Sequence, residues 1–309
     1  MDADDEGCLG FRFQVWDLRM KRILILPAIV LIAWCGLVSW HQATHSQESI
    51  ATRRALVIGL GEQKDSNWAK INGDKDVAYI NEMLMGSGYS DITTLKNDEA
   101  TKARIVYAFM SLAVRCNAGD IVYVHFSGHG QMVTDVNGDE GRNDRWDEAW
   151  IQYDAYLTYC DEDRGEKHLI DDEINVLLTK IKNKIGAEGK LLVVVDACHS
   201  GDSSRGDDIE ETVRGVYEEF VIPGGQRGRA AKAPEQWLAV SACEDFQLNQ
   251  EMRNPQVGKL TYALYMLSKN GNVSFGGVEE FMARHRSRMP QNPVQSGDTT
   301  NLQLSDFLR

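Results

Sequence analysis

Two side chains in this sequence could do nucleophilic chemistry together, Cys198 and His129. Cys198 closes the run LLVVVDACHSG over residues 191–201, and His129 lies in VYVHFSGHGQ, residues 122–131, bracketed by Gly128 and Gly130. A thiol becomes a good nucleophile at neutral pH only with a base or an electropositive setting beside it. Glycines flanking a base let a substrate backbone approach closely and can free an N–H for a developing oxyanion. Taken singly, a cysteine is more often inert packing and a histidine a satisfied core or surface group. The other histidines have poorer settings: His41 and His45 in a polar N-terminal stretch, His168 in a polar loop, His285 on an amphipathic helix. A thiol and an imidazole at the ends of two apolar runs favour chemistry.

Both runs read as strands buried on two faces, and the carboxyl ends of such strands are where open α/β sheets place their ligand sites. The rest of the chain supplies the alternation such a sheet needs. Residues 55–59 (ALVIG) form a short strand, and 74–85 carry apolar residues at helical spacing. A brief strand follows at 92–95, a helix at 101–116 opened by Thr101 as cap, and a strand at 121–126. Residues 135–147 are a polar loop; its DVNGDE core faintly resembles a calcium loop, but the closing Glu is at the wrong offset. Strand 149–153 precedes a helix over 171–182, with Asp171 or Asp172 near its N-cap. Residues 202–233 are charged and interrupted by Pro223, Gly224 and Gly225, and read as a linker or flexible loop. A strand at 237–241 and helices at 258–267 and 278–286 complete the pattern. It predicts one largely parallel sheet with helices on both faces.

The net charge of −13 over 309 residues argues against nucleic-acid binding and gives a surface that could attract cationic substrates. Six cysteines without CxxC spacing form neither a zinc site nor a disulfide framework, although Cys116, Cys160, Cys198 and Cys243 leave one disulfide open. Met20, Lys21 and Arg22 precede an uncharged apolar run, residues 23–40, read as a signal peptide or a marginal single membrane span over 20–42. No small-x-small cleavage site follows, and Trp34 before Cys35 spoils a lipoprotein site. The expectation is an exported chain, periplasmic or membrane-anchored with its body outside the cytoplasm. Residues 1–19 fit neither signal nor domain, and translation from Met20 would give a more conventional export signal.

SGHG at 127–130 and DACHSG at 196–201 resemble the catalytic His and Cys motifs of metacaspases and bacterial orthocaspases, within the caspase-fold cysteine peptidases. ALVIG, NGDKDV at 72–77, DDE at 171–173, SACEDFQ at 241–247 and GKLTYAL at 258–264 resemble further blocks of that family, in the family's order. The Q-A-C-x-G signature of Asp-specific caspases is absent, since Asp196 stands in its place. The resemblance implies a caspase-like three-layer α/β/α sandwich with a mostly parallel central sheet. It would comprise a large-subunit-like part over 52–205, a linker loop over 206–233 and a small-subunit-like part over 234–309. Cys198 would be the nucleophile, His129 the general acid/base, and the N–H groups of Cys198 and Gly130 the oxyanion hole. Asp76 and Asp196 would line a pocket for Arg or Lys before the cleaved bond, as a carboxylate pair suits a guanidinium. A plain helix-surface role stays open for Asp76, and a turn-capping one for Asp196. Calcium activation would use Asp154, Asp171 and Asp172, with a fourth ligand among Asp202, Asp207 and Asp208, although Asp171 could instead cap its helix. His199, Ser200 and Gly201 would form a turn orienting Cys198. Arg205, Arg214, Arg227 and Arg229 are candidate self-cleavage sites.

The expected function is therefore a cysteine endopeptidase acting on protein or peptide substrates after Arg or Lys, with no organic cofactor. Two alternatives remain: a catalytically weak, calcium-responsive binding or scaffold module, and Cys–His chemistry on esters or non-peptide amides.

Overall fold

Strand alternation places the core of this protein on both sides of one sheet. In β3 (Ile121–Ser127), Val122, Val124 and Phe126 face one helix layer, while Tyr123 faces the other. In β7 (Lys190–Asp196), Leu191, Val193 and Val195 share the first layer, and Leu192 and Val194 the second. Strands so buried need continuous apolar runs, which is what these segments carry. The computed structural model describes residues 51–138, 146–198, 212–216, 218–224, 235–245, 247–287 and 289–309. The apolar run 23–40, the turn residues His199, Ser200 and Gly201, the carboxylates Asp202, Asp207 and Asp208, and Arg205, Arg227 and Arg229 lie outside the described residues.

The central sheet also contains β1 (Arg53–Gly59), β2 (Asp91–Lys96), β8 (Leu238–Ser241) and β11 (Val294–Gly297), in the order β11-β8-β7-β3-β1-β2. Every pairing is parallel except β11 against β8. One layer consists of α2 (Lys102–Arg115) and α3 (Asp171–Ile185), which bury Ile105, Phe109, Leu112, Ile174, Leu178 and Ile181. The opposite layer has α1 (Gly73–Gly86), α4 (Lys259–Lys269), α5 (Phe275–Arg284) and the short α6 (Leu304–Phe307). This is the expected mostly parallel α/β/α arrangement. Thr101 caps α2 as predicted, through its side chain and the Arg104 N–H. α3 differs: its N-cap is Ile170, so Asp171 and Asp172 lie in the first turn instead, where carboxylates oppose the positive helix end.

A three-stranded antiparallel sheet, β4 (Gly130–Thr134), β5 (Trp146–Trp150) and β6 (Leu169–Ile170), rises beside the site. The predicted excursion over 135–147 is the connection between β4 and β5, and the predicted strand at 149–153 starts earlier, at Trp146. A small ribbon, β9 (Glu251–Met252) with β10 (Val257–Gly258), precedes α4. Residues 212–216 and 218–224, expected to be linker, instead pack against the body: Val213 bridges Gln250 and Phe220 bridges Val133. Although the stretch is charged, the residues that dock are its apolar Val213 and Phe220 and one arginine, Arg214.

The register brings the strand ends together. Ser127 lies opposite both Gly59 and Asp196, so His129 and Cys198 each follow an aligned strand end by two residues. Phe126 fixes this end, its ring stacked on Trp150 at 4.6 Å between centroids. Phe126→Ala should therefore cost about 3–5 kcal/mol of unfolding free energy, measured by denaturant titration; a loss under about 1 kcal/mol would contradict this packing role.

Candidate active site

His129 and Cys198 are both fully buried at the carboxyl ends of β3 and β7. A stretch of the chain itself, Thr212 to Gly215, lies over them. The N–H of Arg214 donates to the Asn249 carbonyl at 2.8 Å, and the N–H of Glu251 donates to the Thr212 carbonyl at 3.0 Å. The stretch thus adds to β9 as a short antiparallel partner. Beyond it, the Cys198 N–H donates to the Arg214 carbonyl oxygen at 3.0 Å. The Gly215 N–H donates to His129 Nδ1 at 3.0 Å. A Cβ on Gly215 would lie 2.4 Å from Cys198 Sγ, and its φ of +141° is one that L side chains rarely adopt. Only glycine fits there.

The His129 tautomer follows from its partners. Nε2 lies 2.8 Å from the Ala69 carbonyl, an acceptor only, so Nε2 carries the proton and Nδ1 presents its lone pair to Gly215. Burial keeps the ring neutral, pulling its pKa down to about 4 against the partial support of the Ala69 carbonyl. Trp68 packs on the ring at 5.2 Å between centroids. Beside Cys198, the Cys243 thiol has its pKa raised by a hydrogen bond with Cys198 and by burial.

The Arg214 side chain enters a closed pocket and is fully buried there. One terminal nitrogen lies 2.6 Å from Asp76 Oδ2 and 3.4 Å from Asp196 Oδ1, while Nε lies 3.0 Å from Glu251 Oε1. Each acid is held in turn. Asp196 accepts from Asn249 Nδ2 at 2.7 Å and from the Thr261 N–H at 2.8 Å. Asp76 accepts from the Gly258 N–H at 3.0 Å and from Ser127 Oγ at 2.8 Å. Glu251 accepts from the Asn72 N–H at 2.7 Å. Behind Ser127, His125 Nε2 lies 3.1 Å from its hydroxyl, and Tyr123 OH lies 2.9 Å from His125 Nδ1. Since Ser127 donates to Asp76, the relay runs from Tyr123 through His125 and Ser127.

Burial tends to raise both carboxyls, and the two respond differently. For Asp76 burial prevails over Arg214 and, with repulsion from Asp196 added, lifts its pKa to about 6. For Asp196 burial is outweighed by Arg214, Asn249 and Thr261, which hold it below the usual range. Asp196 therefore carries a firm negative charge, and Asp76 is the acid closer to protonation. Arg214 itself is held charged: the carboxylates raise its pKa against the opposing effect of burial. Gly258 closes the pocket wall, where a Cβ would lie 2.1 Å from Asp196 Oδ2.

Residues 53–204 match the model of the metacaspase peptidase C14 domain. Metacaspase-1A of Aspergillus niger is 30% identical over 160 residues, 49% of this chain and 36% of that protein. Metacaspase-1 of Emericella nidulans gives the same figures. The match therefore spans little more than a third of these relatives' length. Among solved structures, a protein from Geobacter sulfurreducens superposes with a TM-score of 0.60 at 25% identity, over 83% of this chain and 98% of its own. Caspase-1 from Spodoptera frugiperda superposes at 0.54 and 12% identity, over 80% and 86%, a likeness of fold. Residues 53–204 therefore resemble a metacaspase peptidase C14 domain, within a chain that has a caspase-like fold.

Of the residues picked from the metacaspase motifs, the structure brings together Cys198, His129, Asp76 and Asp196 around the Arg214–Gly215 peptide. Asp76 is not a helix-surface residue: it is fully buried in the first turn of α1. Gly130 opens β4 opposite Trp150, next to His129. Asp154, Asp171 and Asp172 do not gather into a cation site. Asp154 accepts from the Lys102 N–H at 2.9 Å at the start of α2, and Asp172 accepts from Asn137 Nδ2. Among the described residues no group of three or more His, Cys, Asp or Glu is placed to hold a metal ion. Sequence reasoning missed Glu251, Asn249, Thr261, Ser127 and His125. Ser127 and His125 stand in the strand already singled out, and period-two alternation puts both on the Tyr123 face.

The buried histidines set a pH dependence. Burial, the main cause for each, lowers His125 to about 3, and His129 and His168 to about 4. In the unfolded chain they protonate near 6.5, so their contribution to stability is full above that pH and is lost as pH falls through about 4. Asp76, raised to about 6, acts oppositely between about 6 and 4, offsetting one of three such groups. The urea midpoint should fall between pH 7 and 4.5; a flat or rising midpoint would show that the three rings are not held neutral.

Proposed function

We propose that this protein is a cysteine endopeptidase that cuts peptide bonds after arginine, and after lysine more slowly, through Cys198 and His129, and that it processes itself. The observation supporting this most is the Arg214–Gly215 peptide, whose carbonyl oxygen meets the Cys198 N–H and whose nitrogen faces His129 Nδ1. In the first half of the reaction the Cys198 thiol proton passes to Nδ1, and sulfur bonds to the carbonyl carbon. The oxyanion forms on the oxygen that the Cys198 N–H already contacts, with the Gly130 N–H as its proposed second donor. Nδ1 then gives its proton to the glycine nitrogen as the C–N bond breaks, leaving a thioester and a free amine. In the second half Nδ1 takes a proton from water, the hydroxide attacks the thioester, and the departing thiolate recovers the proton.

Specificity rests on the three acids around the guanidinium. Only arginine offers an Nε–H, and Glu251 accepts it, whereas lysine presents one compact ammonium to the same pocket. Aspartate would meet three carboxylates. Calcium activation involving Asp154, Asp171 and Asp172 is part of the proposal, and because no preformed group of metal ligands is present among the described residues, the calcium and chelator arms of the assay test it. The order of basic residues and apolar run in 21–40 supports an exported protein, periplasmic or held at the membrane with its catalytic part outside the cytoplasm.

One observation favours the weaker-enzyme alternative: Arg214 fills the pocket completely, so access for other substrates requires that segment to move. Fluorogenic peptides ending in Arg, Lys or Asp, assayed with calcium and with chelator, separate the readings. Cleavage should rank Arg above Lys, with Asp at background, and Cys198→Ala should lose about a thousandfold or more. Absence of Cys198-dependent cleavage after Arg or Lys under both conditions would retire the endopeptidase.

A further inference from the structure

Past Gly215 the same segment reaches a second anchoring place that the chemistry above does not use. Phe220 is fully buried, in a cluster separate from the two layers of the main core. Trp68, Val133, Ala149, Ile151 and Ala155 form that cluster with it. The His168 ring lies 4.1 Å from the Phe220 ring, centroid to centroid. Around the aromatic ring the backbone is paired as in a sheet. The Phe220 N–H donates to the Met132 carbonyl at 2.8 Å, and the Thr134 N–H donates to the Phe220 carbonyl at 3.0 Å. Phe220 thereby extends the edge of β4 as a parallel strand opposite Val133. Gln131 is turned for the same purpose: its Oε1 lies 3.1 Å from His168 Nε2, while its Nε2 donates to the Glu218 carbonyl at 2.7 Å.

β4 begins at Gly130, next to His129, so this edge leads away from the leaving-group side of the Arg214–Gly215 bond. With Gly215 as the first residue after the bond, Phe220 is the sixth. We propose that the β4 edge and the Trp68–Val133–Ile151–His168 pocket form a recognition site for an extended peptide carrying an aromatic residue six positions after the cleaved bond. In this chain Phe220 is its occupant. Strand addition supplies affinity that is independent of sequence, and the pocket supplies selectivity, as in other edge-strand recognition. Held at Arg214 on one side and at Phe220 on the other, the bond between them is kept across the thiol and imidazole.

The inference rests on the endopeptidase reading, and the test separates the two. The full chain and its Phe220→Ala and Phe220→Tyr variants are followed for cleavage between Arg214 and Gly215. Each preparation is also assayed on an acyl-arginine aminocoumarin, which has no residues beyond the leaving group. In trans, the Phe220→Ala protein is given two peptides of the sequence of residues 210–224, one native and one with alanine at the Phe220 position. Self-cleavage should slow about tenfold or more in Phe220→Ala, the loss expected from emptying an aromatic pocket, and should recover in Phe220→Tyr. The native peptide should be cut about tenfold faster than its alanine counterpart. If the aminocoumarin is cut but the two peptides and the variants behave alike, the aromatic site is refuted and the endopeptidase stands. If neither aminocoumarin nor peptides are cut in a Cys198-dependent way, both fall.

Discussion

Burying a guanidinium among carboxylates is the constraint on which the rest of this structure depends. Arg214 has no exposure to solvent, nor have Asp76 and Asp196, and Glu251 is nearly as closed. Such a group is costly to desolvate, and here it is offset by close pairing of Nε and one terminal nitrogen with the acids, while the other terminal nitrogen is buried without a hydrogen-bond partner. The three acids come from the first turn of α1, the end of β7 and the ribbon strand β9, which are far apart in sequence. Packing them around one cation brings these three segments together. It also sets the position of the Arg214 carbonyl, because a side chain clamped at its tip leaves its own backbone little freedom. Cys198 and His129 then meet that backbone at the ends of strands whose register is fixed by the sheet.

The same clamp divides the acids by role. Asp196 is held below the usual carboxylate range, against burial, by Arg214, Asn249 and Thr261, and it ends the strand that leads to Cys198. Asp76 is poised nearer neutrality and is fed by the Tyr123–His125–Ser127 relay. Glu251 is the acid that accepts the Nε–H of Arg214. The pocket is therefore a set of three acceptors around one cation.

The sheet was legible in the sequence because strands buried on both faces need continuous aliphatic runs, as at 55–59 and 191–195, and helices need the spacing seen at 102–115. Cys198 and His129 stood out for a related reason: polar residues directly after such runs are rare without a task. Short edge strands such as β6 and β11 were not legible, since two to four residues carry no periodic signal. Asp76 was ambiguous locally, because the groups that surround it, Ser127, Arg214, Gly258 and Thr261, lie far along the chain. Glu251 and the docking of Arg214 were invisible for the same reason. A charged stretch such as 212–224 reads as solvated until the structure supplies three acids for its one buried arginine. Asp154 accepts from the Lys102 N–H at the start of α2, and Asp172 from Asn137, partners that spacing alone did not reveal.

The measurement closest to the centre of this account is the intact mass of the purified chain and of its Cys198→Ala variant, with N-terminal sequencing of any fragment. Wild-type protein should separate into two pieces, the second beginning Gly-Val at residue 215, and Cys198→Ala should remain whole. A wild-type chain cut instead after Arg205, Arg227 or Arg229, or left as intact as Cys198→Ala, would contradict the claim that Arg214–Gly215 lies in the site as a substrate.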